Sequence, residues 1–221
     1  MRTISKTLLV AAAVAIPGVT LADNPAWTYG ELGYVRADAG DDSTDAFHVE
    51  LSMGIADMFH IQGQFTDGDV RGGVLAPNED ADVDFDGYEI VFGVHPSIGA
   101  NTDAVASIKF FDYTYNDLLS DSESGARFDV DADGIGVGLG LRHMLTPNVE
   151  LNSMAWWNEG EHDFNGWGND EDFTDIEIEF GGRYLFTDNF SAGVRVVTND
   201  AVLFGDSATI DVRYQFGQDF F

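Results

Sequence analysis

Phe47-His48-Val49-Glu50-Leu51-Ser52-Met53-Gly54-Ile55 alternates without a break: each odd position is large and apolar, each even one polar or glycine. A period of two puts the two kinds of residue on opposite faces, the signature of a strand with one apolar and one polar side. The period returns at Ile135, Val137, Leu139 and Leu141 against Gly136, Gly138, Gly140 and Arg142, and at Ile176, Ile178 and Phe180 against Glu177, Glu179 and Gly181. It also ends the chain, where Ala208, Ile210, Val212, Tyr214 and Phe216 alternate with Thr209, Asp211, Arg213 and Gln215.

Carried outward, the pattern predicts about ten strands, at 26–36, 46–56, 59–66, 84–94, 104–115, 128–143, 149–158, 173–186, 190–198 and 207–216. The connections between them alternate in kind. Asp57-Met58, the stretch 95–103, Leu145-Thr146-Pro147-Asn148 and Thr187-Asp188-Asn189 are mostly short, whereas 37–45, 67–83, 116–127, 159–172 and 199–206 are long, acidic and read as solvated loops. Strands of about ten residues, short turns at one end, long loops at the other and an even count predict an all-β, transmembrane, antiparallel up-and-down barrel, ten strands being favoured over eight. A soluble sandwich or lipocalin-like barrel also alternates, but has no need to gather its long connections at one end. Trp27, Phe59, Tyr184, Phe186, Phe190 and Phe216 fall near the turn end, where an interfacial girdle is expected. Phe111 and Trp156 land on the polar face, against the pattern.

The N-terminus carries an address. Arg2 and Lys6 precede an apolar run from Leu8 to Ile16, then Pro17-Gly18 and Thr20-Leu21-Ala22. This has the parts of a secretory signal and is too short to span a bilayer as a helix. Residues 1–22 are therefore expected to be removed, leaving 23–221 as one barrel domain. The 221-residue chain has 39 acidic and 10 basic side chains, a net charge of -29, and removal of Arg2 and Lys6 makes the exported part more negative still. Such a charge repels phosphate backbones and excludes nucleic acid as a partner. The absence of cysteine removes disulfides, thiolate nucleophiles and Cys-type metal sites.

The opening Trp27-Thr28-Tyr29, the segment Leu141-Arg142-His143-Met144-Leu145-Thr146-Pro147-Asn148-Val149-Glu150-Leu151 and the segment from Gly182 to Gly193 resemble the small ten-stranded outer-membrane β-barrel proteins of Gram-negative bacteria. The resemblance covers the whole exported chain. It implies residence in the outer membrane, as a monomer, among membrane lipid and lipopolysaccharide, and handling by the barrel-assembly machinery. The closing Tyr214 and Phe216 resemble the aromatic signal that such machinery reads, with Phe220 and Phe221 as the alternative end. The family is defined by fold and place, so the task stays open.

Extending the parity puts Glu50, Glu89, Lys109, Arg142, Glu150, Glu177, Glu179, Arg183, Arg195, Asp211 and Arg213 inside the barrel. In a barrel this narrow, side chains nearly fill the interior and buried charges must pair. The first expectation is a lumen plugged by paired charges, with a structural or surface-interaction role; the second is a narrow porin-like channel. Gly54, Gly93, Gly136, Gly138, Gly140, Gly181 and Gly193 share that face and are expected to make room for the arginines.

Two runs, Asp82-Val83-Asp84-Phe85-Asp86-Gly87 and Asp129-Val130-Asp131-Ala132-Asp133-Gly134, begin like a calcium loop, but Gly93 and Gly140 stand where its bidentate glutamate belongs. Weak divalent binding at the rim is the most they suggest; no metal site and no cofactor is expected. Enzyme readings are thin: His162 adjoins Asp163, His48 lies near Glu50, and His60, His95 and His143 fall toward the turn end, so no catalysis is expected. N-terminal sequencing of the exported protein is expected to read Asp23-Asn24-Pro25; an intact Met1 start would refute the address.

Overall fold

The computed structural model describes residues 25–39, 42–55, 57–72, 81–120, 127–164, 170–199 and 206–216; the signal segment, Phe220 and Phe221 lie outside them. The described residues form eleven strands and no helix. They are β1 (Tyr29–Ala39), β2 (Asp42–Ile55), β3 (Phe59–Gly72), β4 (Ala81–Val94), β5 (Ser97–Gly99), β6 (Thr102–Ser120), β7 (Arg127–Thr146), β8 (Val149–Phe164), β9 (Glu171–Leu185), β10 (Phe190–Asn199) and β11 (Asp206–Gln215). β5 is a three-residue rung within a turn. The ten long strands pair antiparallel in sequence order, β4 joins β6, and β11 returns to β1, which closes the sheet into a ten-stranded barrel.

Tracing paired residues round the wall from Tyr29 leads through Ser52, Gln62, Val91, Lys109, Gly136 and Asn158 to Asp175. The route leaves from the first residue of β1 and arrives near the upper end of β9, so the strands are tilted and staggered. Every residue on it faces the lumen, because cross-strand partners share a face.

Outside, an apolar band circles the barrel. Leu139 is 70% exposed and Ile210 65%, values that only a hydrocarbon surrounding makes favourable over such an area. On β2 the band runs from Phe47 to Ile55, about the 9–11 residues a tilted strand needs to cross. Its lower edge carries Phe59, Tyr184, Phe186 and Phe190, all exposed. At its upper edge the Tyr34 hydroxyl donates to Asp45 and the Tyr88 hydroxyl to Asp112 Oδ2 at 2.9 Å, each ring keeping its polar tip toward water.

Above this edge the polarity inverts while the parity continues. In β4, Val83 and Phe85 point in and Asp84 and Asp86 point out; in β7, Val130 and Ala132 are wholly buried and Asp133 is exposed. Ala46, Val83, Phe85, Tyr115, Val130 and Ala132 form an apolar cluster inside this upper barrel. Carboxylates meet across the strands outside it, as in Asp45–Asp69–Asp84 and Asp112–Asp133–Glu161–Asp172. The residues expected as long loops are thus largely strand: β2 starts at Asp42, β3 reaches Gly72, β6 reaches Ser120 and β8 reaches Phe164. Their acidic positions are spaced by two with apolar residues between, a soluble-barrel pattern that composition alone disguises as loop.

Two further expectations change. Trp27 is not in the lower girdle: it shares the inward parity of Tyr29 and Glu31 and is buried in the barrel mouth. Of the inward glycines only Gly193 serves an arginine, Arg183; Gly93 makes space for His60, Gly138 for Trp156, Gly181 for Asn152, and Gly136 for Lys109 and Asn158. Each stands directly opposite the large residue it admits.

Leu139→Arg, at the middle of the band, is expected to cost about 2–4 kcal/mol, whereas Asp133→Arg, which relieves carboxylate repulsion above it, is expected to be neutral or stabilising. Reversible denaturant unfolding from lipid vesicles measures both.

Candidate functional site

The lumen is layered. At the chain-terminal mouth, Pro25 and Trp27 turn inside: the Trp27 indole Nε1 donates to Asp103 Oδ2 at 2.9 Å, and its backbone oxygen accepts from Ser52 Oγ at 2.8 Å. The indole stacks on His60 and His95, with centroids 4.4 and 4.1 Å away, and the Arg142 guanidinium lies 4.3 Å from its centre. Burial pushes the His95 imidazole below its ordinary range, outweighing the Phe59 carbonyl and Asp103, which favour its protonation. A neutral ring is the form that tolerates Arg142 nearby.

The next layer is a continuous ion-pair network. Arg142 grips Glu150 in a bidentate pair through Nε and Nη2, at 2.8 to 3.1 Å. Glu31 Oε2 accepts from Arg183 Nη2 at 2.7 Å and from Arg213 Nε at 2.8 Å, while Arg183 Nη2 also donates to Asp211 at 2.5 Å. His48 Nε2 approaches the other Glu31 oxygen at 3.5 Å. Arg213 lies 3.5 Å over the Tyr29 ring, whose hydroxyl donates to Glu50 at 2.7 Å, and reaches Glu150 at 3.9 Å. Gly33 permits the packing of His48, whose imidazole occupies the space a Cβ there would take. All these charged groups are at least nine-tenths buried.

Higher up, Lys109 Nζ stands 3.5 Å from Glu177 and 3.8 Å from Glu89, and 4.8 Å from the centre of the Trp156 ring. Trp156 Nε1 donates to Glu179 at 2.6 Å, and Arg195 approaches the same carboxylate at 3.6 Å. The inward Trp156 and Phe111 therefore flank a lysine, which is why they sit among charges. A cavity of about 120 Å³ lies on the Trp27 side of this layer and one of about 190 Å³ on the other; Gln64, Glu89, Glu179 and Arg195 line both.

The structure thus brings the eleven charged residues named from sequence into two clusters. Glu50, Arg142, Glu150, Arg183, Asp211 and Arg213 form the lower one; Glu89, Lys109, Glu177, Glu179 and Arg195 form the upper. Sequence reasoning missed the hub, Glu31, with its aromatic companions Trp27 and Tyr29. The signal was the shared parity of 27, 29 and 31, blurred because Gly30 and Gly33 leave both faces of β1 without contrast. Tyr214 and Phe216 pack edge to face, with centroids 5.3 Å apart, on the side of β11 opposite Arg213. Among the described residues no three His, Asp or Glu side chains converge as a metal site. His162 stacks on Phe173 at 4.5 Å inside the barrel, with Asp163 on the opposite face of the strand, and His143 Nδ1 meets Thr102 Oγ1 at 2.8 Å.

No family model matches the chain, and no curated protein matches it in sequence. Solved structures do. An outer-membrane channel from Pseudomonas putida F1 superposes with a TM-score of 0.50 at 13% identity, covering 91% of this chain and all of that one. The translocator domain of the autotransporter NalP from Neisseria meningitidis gives 0.47 at 11% identity over 89% and 91% of the two chains. The outer-membrane protease OmpT from Escherichia coli gives 0.48 at 8% identity over 86% and 94%. The neighbours are outer-membrane β-barrels. At such identities they speak for the fold alone.

Removal of Glu31 leaves Arg213 and Arg183 short of a buried counter-charge. Glu31→Ala is expected to cost about 3–5 kcal/mol, and Glu31→Gln less because an amide oxygen still accepts from both guanidinia. Thermal loss of the folded form on unheated gels checks the order of the two.

Proposed function

We propose that the chain is a monomeric integral protein of the outer membrane of a Gram-negative bacterium, exported by its N-terminal signal and closed along its axis by its own side chains. Its role is structural or surface-interacting, exercised at the acidic end remote from the termini; it passes no solute and catalyses no reaction. Its partners are membrane lipid, lipopolysaccharide and, during insertion, the assembly machinery that reads its C-terminal aromatics. The observation that carries this reading is the Glu31 carboxylate, fixed between Arg183 and Arg213 with Glu50, Glu150 and Asp211 beside them. Such a network sets guanidinium groups against carboxylates across the lumen, so a permeating ion would have to break charge pairs worth several kcal/mol each. Trp27 and its histidines add a second closure below.

The porin-like reading draws on a specific observation too. The two lumen cavities share four wall residues, so only the Lys109 and Arg195 layer separates them. Planar-bilayer recording of refolded residues 23–221 at two salt concentrations decides between the readings. Protein proven to be inserted is expected to give no discrete current steps. Steps whose ion selectivity changes on replacing Arg195 or Arg213 would establish the channel instead.

A further inference from the structure

The segment from Pro25 to Trp27 sits inside the turn-side mouth without belonging to the wall. The wall begins at Thr28, whose backbone oxygen accepts from Phe216 N at 2.9 Å and whose Oγ1 accepts from Gly54 N at 3.1 Å. Pro25 and Trp27 are both buried. What fastens them is the indole: its bond to Asp103, the Ser52 bond to the Trp27 backbone oxygen, and its stacking on His60 and His95.

Those two rings lie 5.4 Å apart, centre to centre, and Arg142 stands 4.3 Å from the centre of the indole they stack on. Nothing around them is arranged to receive more positive charge. His60 faces Gly54 on β2 and Gly93 on β4, with Ser107 of β6 beside Gly93. Its Nδ1 is buried and has no hydrogen-bond partner among the described residues. A neutral ring can leave that nitrogen without a proton, whereas an imidazolium carries N–H on both nitrogens and would bury a bare donor there. His95 Nε2 lies 3.2 Å from the Phe59 carbonyl oxygen, and burial outweighs this contact and Asp103 in holding the ring neutral. Both oxygens of Asp103 are already taken, one by Trp27 Nε1 and one by Ser97 Oγ. The other acids near the mouth are engaged as well. Glu150 is gripped by Arg142, Glu50 takes the Tyr29 hydroxyl beneath Arg213, and Glu89 and Glu179 face Lys109 and Arg195.

We propose that acid releases this segment: protonation of His60 and His95 turns Pro25–Trp27 from a docked plug into an undocked chain end at the turn-side mouth. Two imidazoliums and the Arg142 guanidinium would otherwise crowd one indole. A ring face does favour a cation, but Arg142 already holds that place. Once the segment leaves, water reaches both imidazoles and charging them costs less than in the mouth. Each proton taken up only on release favours release as the pH falls below about 6.5, the ordinary imidazole value. With two such protons the docking constant falls by up to about a thousandfold between pH 7.5 and pH 5. The ion-pair network above stays in place, so the device acts on the lower closure alone and stands whether or not the lumen conducts.

The chain has no cysteine, so Pro25→Cys supplies a single thiol at a buried position. Its rate of reaction with 2,2'-dithiodipyridine, a reagent that stays active in acid, is measured on residues 23–221 folded in detergent. Division by the rate for the unfolded chain at the same pH gives a protection factor that reports docking. Protection is expected to fall about tenfold or more from pH 7.5 to pH 5 and to return on neutralisation, while the unheated protein still migrates as a folded band. With His60→Gln and His95→Gln together, the change is expected to shrink below about twofold. If that pair does not fold, His95→Gln alone, in the turn, is expected to reduce the fall to about its square root, since one proton is then linked instead of two. Protection that does not change down to pH 5, a fall that sets in only below about pH 4.5 where ordinary carboxylates titrate, or an undiminished fall in the folded histidine variants would overturn the proposal.

Discussion

Hydrocarbon offers no hydrogen bonds, so a sheet that crosses it must leave no edge. Here the pairing of β1 with β11 meets that requirement, joining Tyr29 to Gln215 and running to Asp38 opposite Asp206. Everything else follows from the circuit. A closed ring of ten tilted strands fixes one inward and one outward parity for the whole chain, and every residue must then suit its side at its height. The inward glycines show how tightly this is drawn, since each faces across the ladder a residue that needs its space.

The interior reinforces closure with charge. Glu31 in β1 binds Arg183, 152 positions away in β9, and Arg213, 182 positions away in β11. These bonds tie the first strand to β9 and β11 through the lumen, as the backbone ladder ties β1 to β11 through the wall. Buried pairs of this kind add little net stability over apolar packing, but they penalise any arrangement that leaves one partner alone. They therefore favour this circuit over a slipped one.

The fold was legible because its signal is periodic: Phe47 to Ile55, Ile135 to Leu141 and Ile176 to Phe180 declare two faces unaided. The upper barrel was hidden because Asp129-Val130-Asp131-Ala132-Asp133 has the composition of a loop, and only its spacing reveals a strand. The inward charges followed from parity, whereas their partners did not, since Glu31 meets Arg183 by way of tilt and stagger that no local pattern encodes. Trp27 was misplaced for a related reason. An aromatic near a strand end suits the lipid interface in general, and the inward turn of residues 25–27 is a property of the assembled mouth.

The inversion of polarity above the band has a mechanical consequence. In β7 about eight residues separate Arg127 from Ile135, where the hydrocarbon-facing series begins. At about 3.3 Å per residue and a tilt near 40°, this raises the hairpin by roughly 20 Å, past a headgroup layer of about 5–7 Å. The rise is a hydrogen-bonded wall with its own apolar filling, so the strand ends stand on a braced support. A partner that docked on these strand ends would meet them clear of the lipid, at a distance and orientation that cost little further entropy to hold.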